Sequence, residues 1–136
     1  MALNSPIITA RQEPAYAIAQ CGISNIGAGN GLTIPLPVNA LLLDIVADTT
    51  TAFNAGTTAT LTASDGTTTF INAVSVAATA HAQGANIGKF YPSGGTLSIT
   101  LAETGTAATT GNTFVSAKYV VIGREQYSFG TNVVGD

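Results

Sequence analysis

An all-β sandwich is the fold that this 136-residue sequence predicts, and three observations predict it. From residue 40 onward, segments that alternate apolar and polar residues follow one another, separated by Gly, Asp, Asn and Ser. No convincing long amphipathic helical stretch interrupts them. Finally, 58 residues are Ala, Thr or Gly and Trp is absent, a composition that fills thin sheets with small side chains rather than a deep aromatic core. Five or six short strands bounded by turns indicate a sandwich or barrel. A jelly roll is one member of that class, and the strand pattern leaves the topology open. A chain of this length buries roughly two-thirds of its unfolded surface, so one domain with its own core is expected.

Residues 1–39 hold four of the five prolines (Pro6, Pro14, Pro35, Pro37) and the run GAGNG at 27–31. Proline removes a ladder donor and disfavours a helical conformation before it, so this third reads as an extended N-terminal arm with edge segments. Residues 15–20 (AYAIAQ) alternate, with Tyr16 and Ile18 on one side; a short helix over 11–21 is the weaker alternative. Fully extended, the first twenty residues reach about 65–70 Å.

Residues 40–123 read as the sandwich core. Leu41, Leu43 and Ile45 are expected on one face of a first strand, with Leu42, Asp44 and Val46 on the other. Residues 48–53 read as a loop and 57–63 as a second strand. Asp65-Gly66 then lies between two β-forming runs, the strongest short hairpin signal, and its partner is 67–76. Within that partner Phe70, Asn72, Val74 and Val76 face one way, and Ile71, Ala73 and Ser75 the other. Residues 77–95 are looser, and 77–82 could close one helical turn. Residues 96–101 (TLSITL) and 113–122 (TFVSAKYVVI) complete the strands, around a small-residue loop at 105–111. Residues 124–136 read as an exposed tail.

Charge excludes some functions. Four basic residues (Arg11, Lys89, Lys118, Arg124) against seven acids leave a net charge of −3, and no basic stripe for nucleic acid can be assembled. No apolar run approaches the roughly 18 residues of a membrane span, and no secretory signal is visible at the start. Cys21 is alone, which excludes an internal disulfide and fits synthesis in a reducing cytoplasm.

Catalytic signals are weak. His81 is the single histidine, and no GxSxG elbow accompanies it. One His and one Cys are a poor supply of metal ligands, and Cys21 has no neighbour to lower its pKa. Gly84-x-x-x-Gly88-Lys89 is one residue short of a P-loop, and Gly27-x-Gly29-x-Gly31 lacks the third glycine of a dinucleotide fingerprint. Asp44, inside LLLDIV, reads as a solvent-facing residue, with an ion pair across a subunit interface as the functional alternative. No enzyme activity and no cofactor are expected. A nearly uncharged surface is prone to self-association unless it is carpeted with Thr, Ser and Asn or belongs to an assembly.

The stretch 53–124, with the runs AGTTATLTASDGTTTFINAVSV, GKFYPSGGTLSITLAETGTAAT and TFVSAKYVVIGR, resembles the cement, or head-decoration, proteins of tailed bacteriophages, such as that of a Bordetella short-tailed phage. The resemblance implies a jelly-roll-like domain that binds the outer surface of the capsid and bridges major capsid protein subunits with help from its arm. It implies a homodimer, with a trimer as the alternative, located in the virion after synthesis in the host cytoplasm, without nucleic-acid or membrane partners. The expected contact residues are Ile7, Ile8, Tyr16 and Ile18 of the arm, with Tyr127 and Phe129 of the tail. The rival reading is a receptor- or glycan-binding β-module of a phage tail or adhesin.

Overall fold

The computed structural model describes residues 13–123. Nine strands follow in order: β1 Ala15–Gly22, β2 Leu32–Leu36, β3 Ala40–Thr51, β4 Thr58–Ser64, β5 Thr69–Ser75, β6 Ala80–Gln83, β7 Phe90–Tyr91, β8 Gly95–Thr104 and β9 Asn112–Val121. They form two antiparallel sheets. The first runs β1-β9-β3-β6, with the short β7 also on β3; the second runs β2-β8-β4-β5. The pairs β1·β9, β2·β8, β3·β6 and β4·β5 are nested, as in one long two-stranded ribbon whose tip is the β4–β5 turn. Rolling that ribbon so that β9 meets β3 and β8 meets β4 gives the jelly roll.

The core lies between the sheets. Ala47, Ile45, Leu42, Val115 and Ala117 of the first sheet face Leu61, Ala63, Leu97, Ile99 and Ile34 of the second, all buried. Alanine fills many inward positions, as the composition implies. Phe53, 1% exposed, is among the largest side chains in this core.

Several expectations change. β1 and β2 are edge strands, and their inward residues Ala19, Cys21, Ile34 and Leu36 belong to the common core, so residues 15–36 contribute to the sandwich and are not only an arm. Strict alternation fails in β3, whose register with β9 shifts between Leu42 and Asp44. The bulge resets the phase, so that Leu42 and Ile45 both point inward, with Ala47 and Thr49 after them. β3 also continues through Thr51, beyond the expected start of a loop, because β9 pairs with it throughout.

β5 has two register irregularities against β4, and Ala73 sits at φ +49°; Phe70 and Ile71 are consequently both buried. Residues 80–83, expected in a looser and partly helical stretch, form β6 on β3. The Asp65-Gly66 hairpin is present, with Gly66 at φ +94°. Its loop spans 65–68, because the Asp65 carboxylate accepts the backbone N–H groups of Thr67 and Thr68 at 2.9 and 2.6 Å.

Candidate functional site: the outer face of the first sheet

The two outer faces of the sandwich differ in chemistry. In β8 and β4 the inward residues are apolar and nearly every outward residue is a hydroxyl: Thr96, Ser98 and Thr100 on β8, Thr60, Thr62 and Ser64 on β4. Register places Thr33, Ser98 and Ser64 in one row of that face. Strands that alternate so strictly have one wet face.

The outer face of the first sheet mixes large apolar side chains with polar and charged ones. Opposite its core face, register sets Gln20, Phe114, Asp48 and His81 in one row, Ile18, Ser116, Val46 and Gln83 in the next, Tyr16, Lys118 and Asp44 in a third, and Val120, Leu41 and Phe90 in a fourth. Tyr16 and Ile18 are each 63% exposed and Phe90 44%. Val46, Phe114, Val120 and Leu41 are half-buried. A face with large exposed apolar side chains set among polar groups is a common form of a protein-contact surface.

Its polar groups are tied to one another. His81 Nδ1 and Asp48 Oδ1 are 2.6 Å apart, both groups being largely exposed. Gln83 Nε2 donates to both oxygens of Asp44 at 3.2 Å, and Asp44 Oδ1 also accepts the backbone N–H of Ile45 at 2.9 Å, beside the bulge. Lys118 Nζ lies 6.0 Å from the centre of the Tyr16 ring, near the outer limit of a cation–π contact. Asp44 is thus half-buried, with an intramolecular partner in Gln83.

Of the contact residues expected from sequence, Tyr16 and Ile18 stand on β1 and point out from this face. Ile7, Ile8, Tyr127 and Phe129 lie outside the described residues. Ala15 pairs with Tyr119, so the chain before β1 and the chain after β9 leave from the same end of the first sheet. Sequence reasoning missed Val46, Phe114, Val120 and Leu41. The signal was available: ALLLDIV and YVVI are nearly continuous apolar runs, whereas the strands of the second sheet alternate.

Catalytic geometry is sparse. Cys21 is 1% exposed, and burial pushes its thiol up to about 11, away from the reactive thiolate. Asp48 is the one hydrogen-bond partner seen for the His81 side chain among the described residues, none of which bonds to it as a nucleophile. No group of three or more His, Cys, Asp or Glu side chains among the described residues is placed to hold a metal ion. No helix among them is long and apolar enough to cross a membrane.

A second cluster lies at the hairpin tip. The Asp65 side chain, 4% exposed, accepts from Lys89 Nζ at 2.5 Å and from the Tyr91 hydroxyl at 2.8 Å. Lys89 Nζ also reaches the hydroxyls of Thr67 and Thr68 at 3.1 Å. Burial alone would raise the Asp65 pKa. The donors from Lys89, Thr68, Thr67 and Tyr91 outweigh it and hold the carboxyl well below the usual range. Burial, then the hydrogen bond and the charge of Asp65, push the Tyr91 phenol above its usual value. Every lone pair in use faces a donor from the same chain, so the cluster reads as a clamp from the β4–β5 tip to β7.

The chain matches no family model and no curated protein. It is similar to a chain of the solved structure described as the cyanophage Pam1 capsid asymmetric unit. The identity is 19% and the TM-score 0.64, and the likeness covers 89% of this chain and 94% of that one. At that identity the likeness establishes a shared fold, over nearly the whole length of both chains.

Proposed function

We propose that this chain is a structural virion protein that binds the outer surface of a phage capsid and holds neighbouring major capsid protein subunits together, acting as a homodimer. The observation that carries the reading is the contrast between the two outer faces: small hydroxyl side chains on one sheet, and exposed Tyr16, Ile18 and Phe90 with half-buried Val46 and Phe114 among paired polar groups on the other. Its support from outside the chain is the neighbour in the Pam1 capsid asymmetric unit, which shares the fold over 89% of this chain and 94% of its own.

The mechanism is multivalent. Once one copy of a dimer is seated on the shell, the second contact is intramolecular, so modest interfaces yield high avidity. Binding the assembled shell in preference to loose subunits stabilises the shell by mass action. No covalent chemistry is involved.

Co-sedimentation of the purified protein with undecorated heads of its own phage tests the proposal. Saturation at a fixed ratio to capsid protein, with heads that resist heating better, supports it. A folded protein that does not bind heads refutes it, and saturable sugar binding would then favour a glycan-binding module. Deletion of residues 1–12 is the proper test of the arm, since a cut through residue 20 removes most of β1.

A further inference from the structure

The edge strand of a sheet presents unpaired N–H and C=O groups, and folded proteins guard such edges with short strands, prolines, charges or bulges. The sandwich has four edges, and three are guarded. β2 is five residues long and contains Pro35. β5 is broken by its register irregularities and the positive φ of Ala73. β6 is four residues long and carries His81, paired to Asp48.

β1 has none of these devices. It is eight residues long, contains no charge and no proline, and keeps unbroken register with β9 from Ala15 to Gly22. Among the described residues no strand pairs with its outer edge. Tyr16 and Ile18 stand exposed on it.

We infer that β1 is a self-pairing edge: β1 of one copy adds antiparallel to β1 of a second copy across a two-fold axis, making one continuous sheet of ten strands. The sequence of β1 suits itself as partner. Pairing centred on Ile18 sets Ile18 against Ile18, Tyr16 against Gln20, and Ala17 against Ala19. The inward residues are Ala and Cys, so nothing bulky blocks the approach. Charge permits it as well. The two Lys118 side chains, level with Tyr16 on β9, would lie three strand spacings apart, about 14 Å, and be offset by about 13 Å along the strands. That separation exceeds the Debye length of about 8 Å.

The axis runs perpendicular to the sheet, so the outer faces of this sheet in both copies lie on the same side. A dimer built this way presents two docking faces side by side, which is what bridging two subunits of a shell requires. That consequence rests on the proposed function; the pairing itself is a property of the isolated chain.

Sedimentation equilibrium of the full chain, from low to high micromolar concentration, tests the pairing. The expected mass is twice the 13.6 kDa of the chain. Ile18→Lys, which places two like charges opposite each other, should raise the dissociation constant by about fivefold or more and leave the circular dichroism spectrum unchanged. Gln20→Lys serves as a second outward variant. Hydrogen exchange on the unmodified chain gives an independent reading: the alternate amides of Ala15–Gly22 that face away from β9 should be protected at high concentration and lose protection on dilution. A monomer at every concentration, a trimer, or a dimer indifferent to both substitutions with fast-exchanging β1 amides overturns the inference. A monomer that still binds heads sinks the pairing and the dimeric mechanism but leaves capsid binding standing, and a β1-paired dimer that ignores heads sinks the virion role alone.

Discussion

Replacing Asp65 with Asn gives a quantitative test of the hairpin clamp. The amide keeps an oxygen for the Thr67 and Thr68 N–H groups but turns a neutral group toward Lys89 and Tyr91, both donors to the original carboxylate. Hydrogen bonds to a charged group are worth about 1.5–3 kcal/mol, and removing one partner of a fully buried ion pair costs about 3–5 kcal/mol. Lys89 keeps a third of its side chain in water, which lowers the second figure. A loss of about 2–3 kcal/mol at pH 7 follows, equivalent to roughly 6–12 °C in melting temperature.

The pH dependence has a definite sign. The folded carboxyl titrates below the unfolded value of about 3.9, so its contribution is whole above that value and fades as pH falls. At pH 3 the gap between the unmodified protein and Asp65→Asn should narrow by about 1 kcal/mol relative to pH 7. Circular dichroism melts of both proteins at the two pH values decide it. A gap that is the same at pH 3 as at pH 7, or a loss below about 0.5 kcal/mol at pH 7, would show that the carboxylate charge does no clamping.

Three further outcomes are expected. Tyr91→Phe removes the hydroxyl that donates to Asp65 and should cost about 1 kcal/mol; because the folded phenol titrates above its unfolded value of about 10, its contribution is complete below that pH and disappears above it, so melts at strongly alkaline pH should separate the two proteins less than melts at pH 7. Cys21 should resist iodoacetamide in the native protein at pH 8, where a thiol at about 11 is roughly one part in a thousand thiolate, and should be alkylated readily in guanidinium; rapid native labelling would contradict its burial. Gly111→Ala drives a Cβ into the ring of Phe53 and should cost about 1–3 kcal/mol, read as a lower guanidinium midpoint at unchanged slope.

The class of fold was legible because alternation is a local property. Leu97, Ile99 and Leu101 could be assigned to one face from the string TLSITL alone, and Asp65-Gly66 announced its hairpin. What sequence hid was phase. A bulge after Leu42 moves every later side chain of β3 to the opposite face from the one simple counting gives, and the irregularities in β5 bury two consecutive residues. Bulges depend on pairing between strands that are distant in sequence, so no local pattern marks them. β6 was obscured because AHAQ is too short and too rich in Ala to alternate visibly, and it is a strand only because β3 offers an edge.

The candidate site was half legible. Tyr16 and Ile18 emerged from alternation in the arm, but their neighbours Phe114, Val46 and Leu41 come from strands brought together by the roll. Reading the continuous apolar runs as strands covered on both faces would have found them. The Asp65–Lys89–Tyr91 clamp joins positions 24 and 26 residues apart, with no spacing that announces it.

The measurement that tests the central claim most directly compares two charge substitutions on opposite sheets for binding to undecorated heads. Val46→Lys lies on the outer face of the first sheet and Thr100→Lys on the hydroxyl face, and both side chains point away from the core. The account predicts that Thr100→Lys saturates the heads at the same ratio as the unmodified protein, while Val46→Lys, equally folded, fails to co-sediment. Normal binding by Val46→Lys together with loss of binding by Thr100→Lys would put the contact on the other sheet and contradict the account.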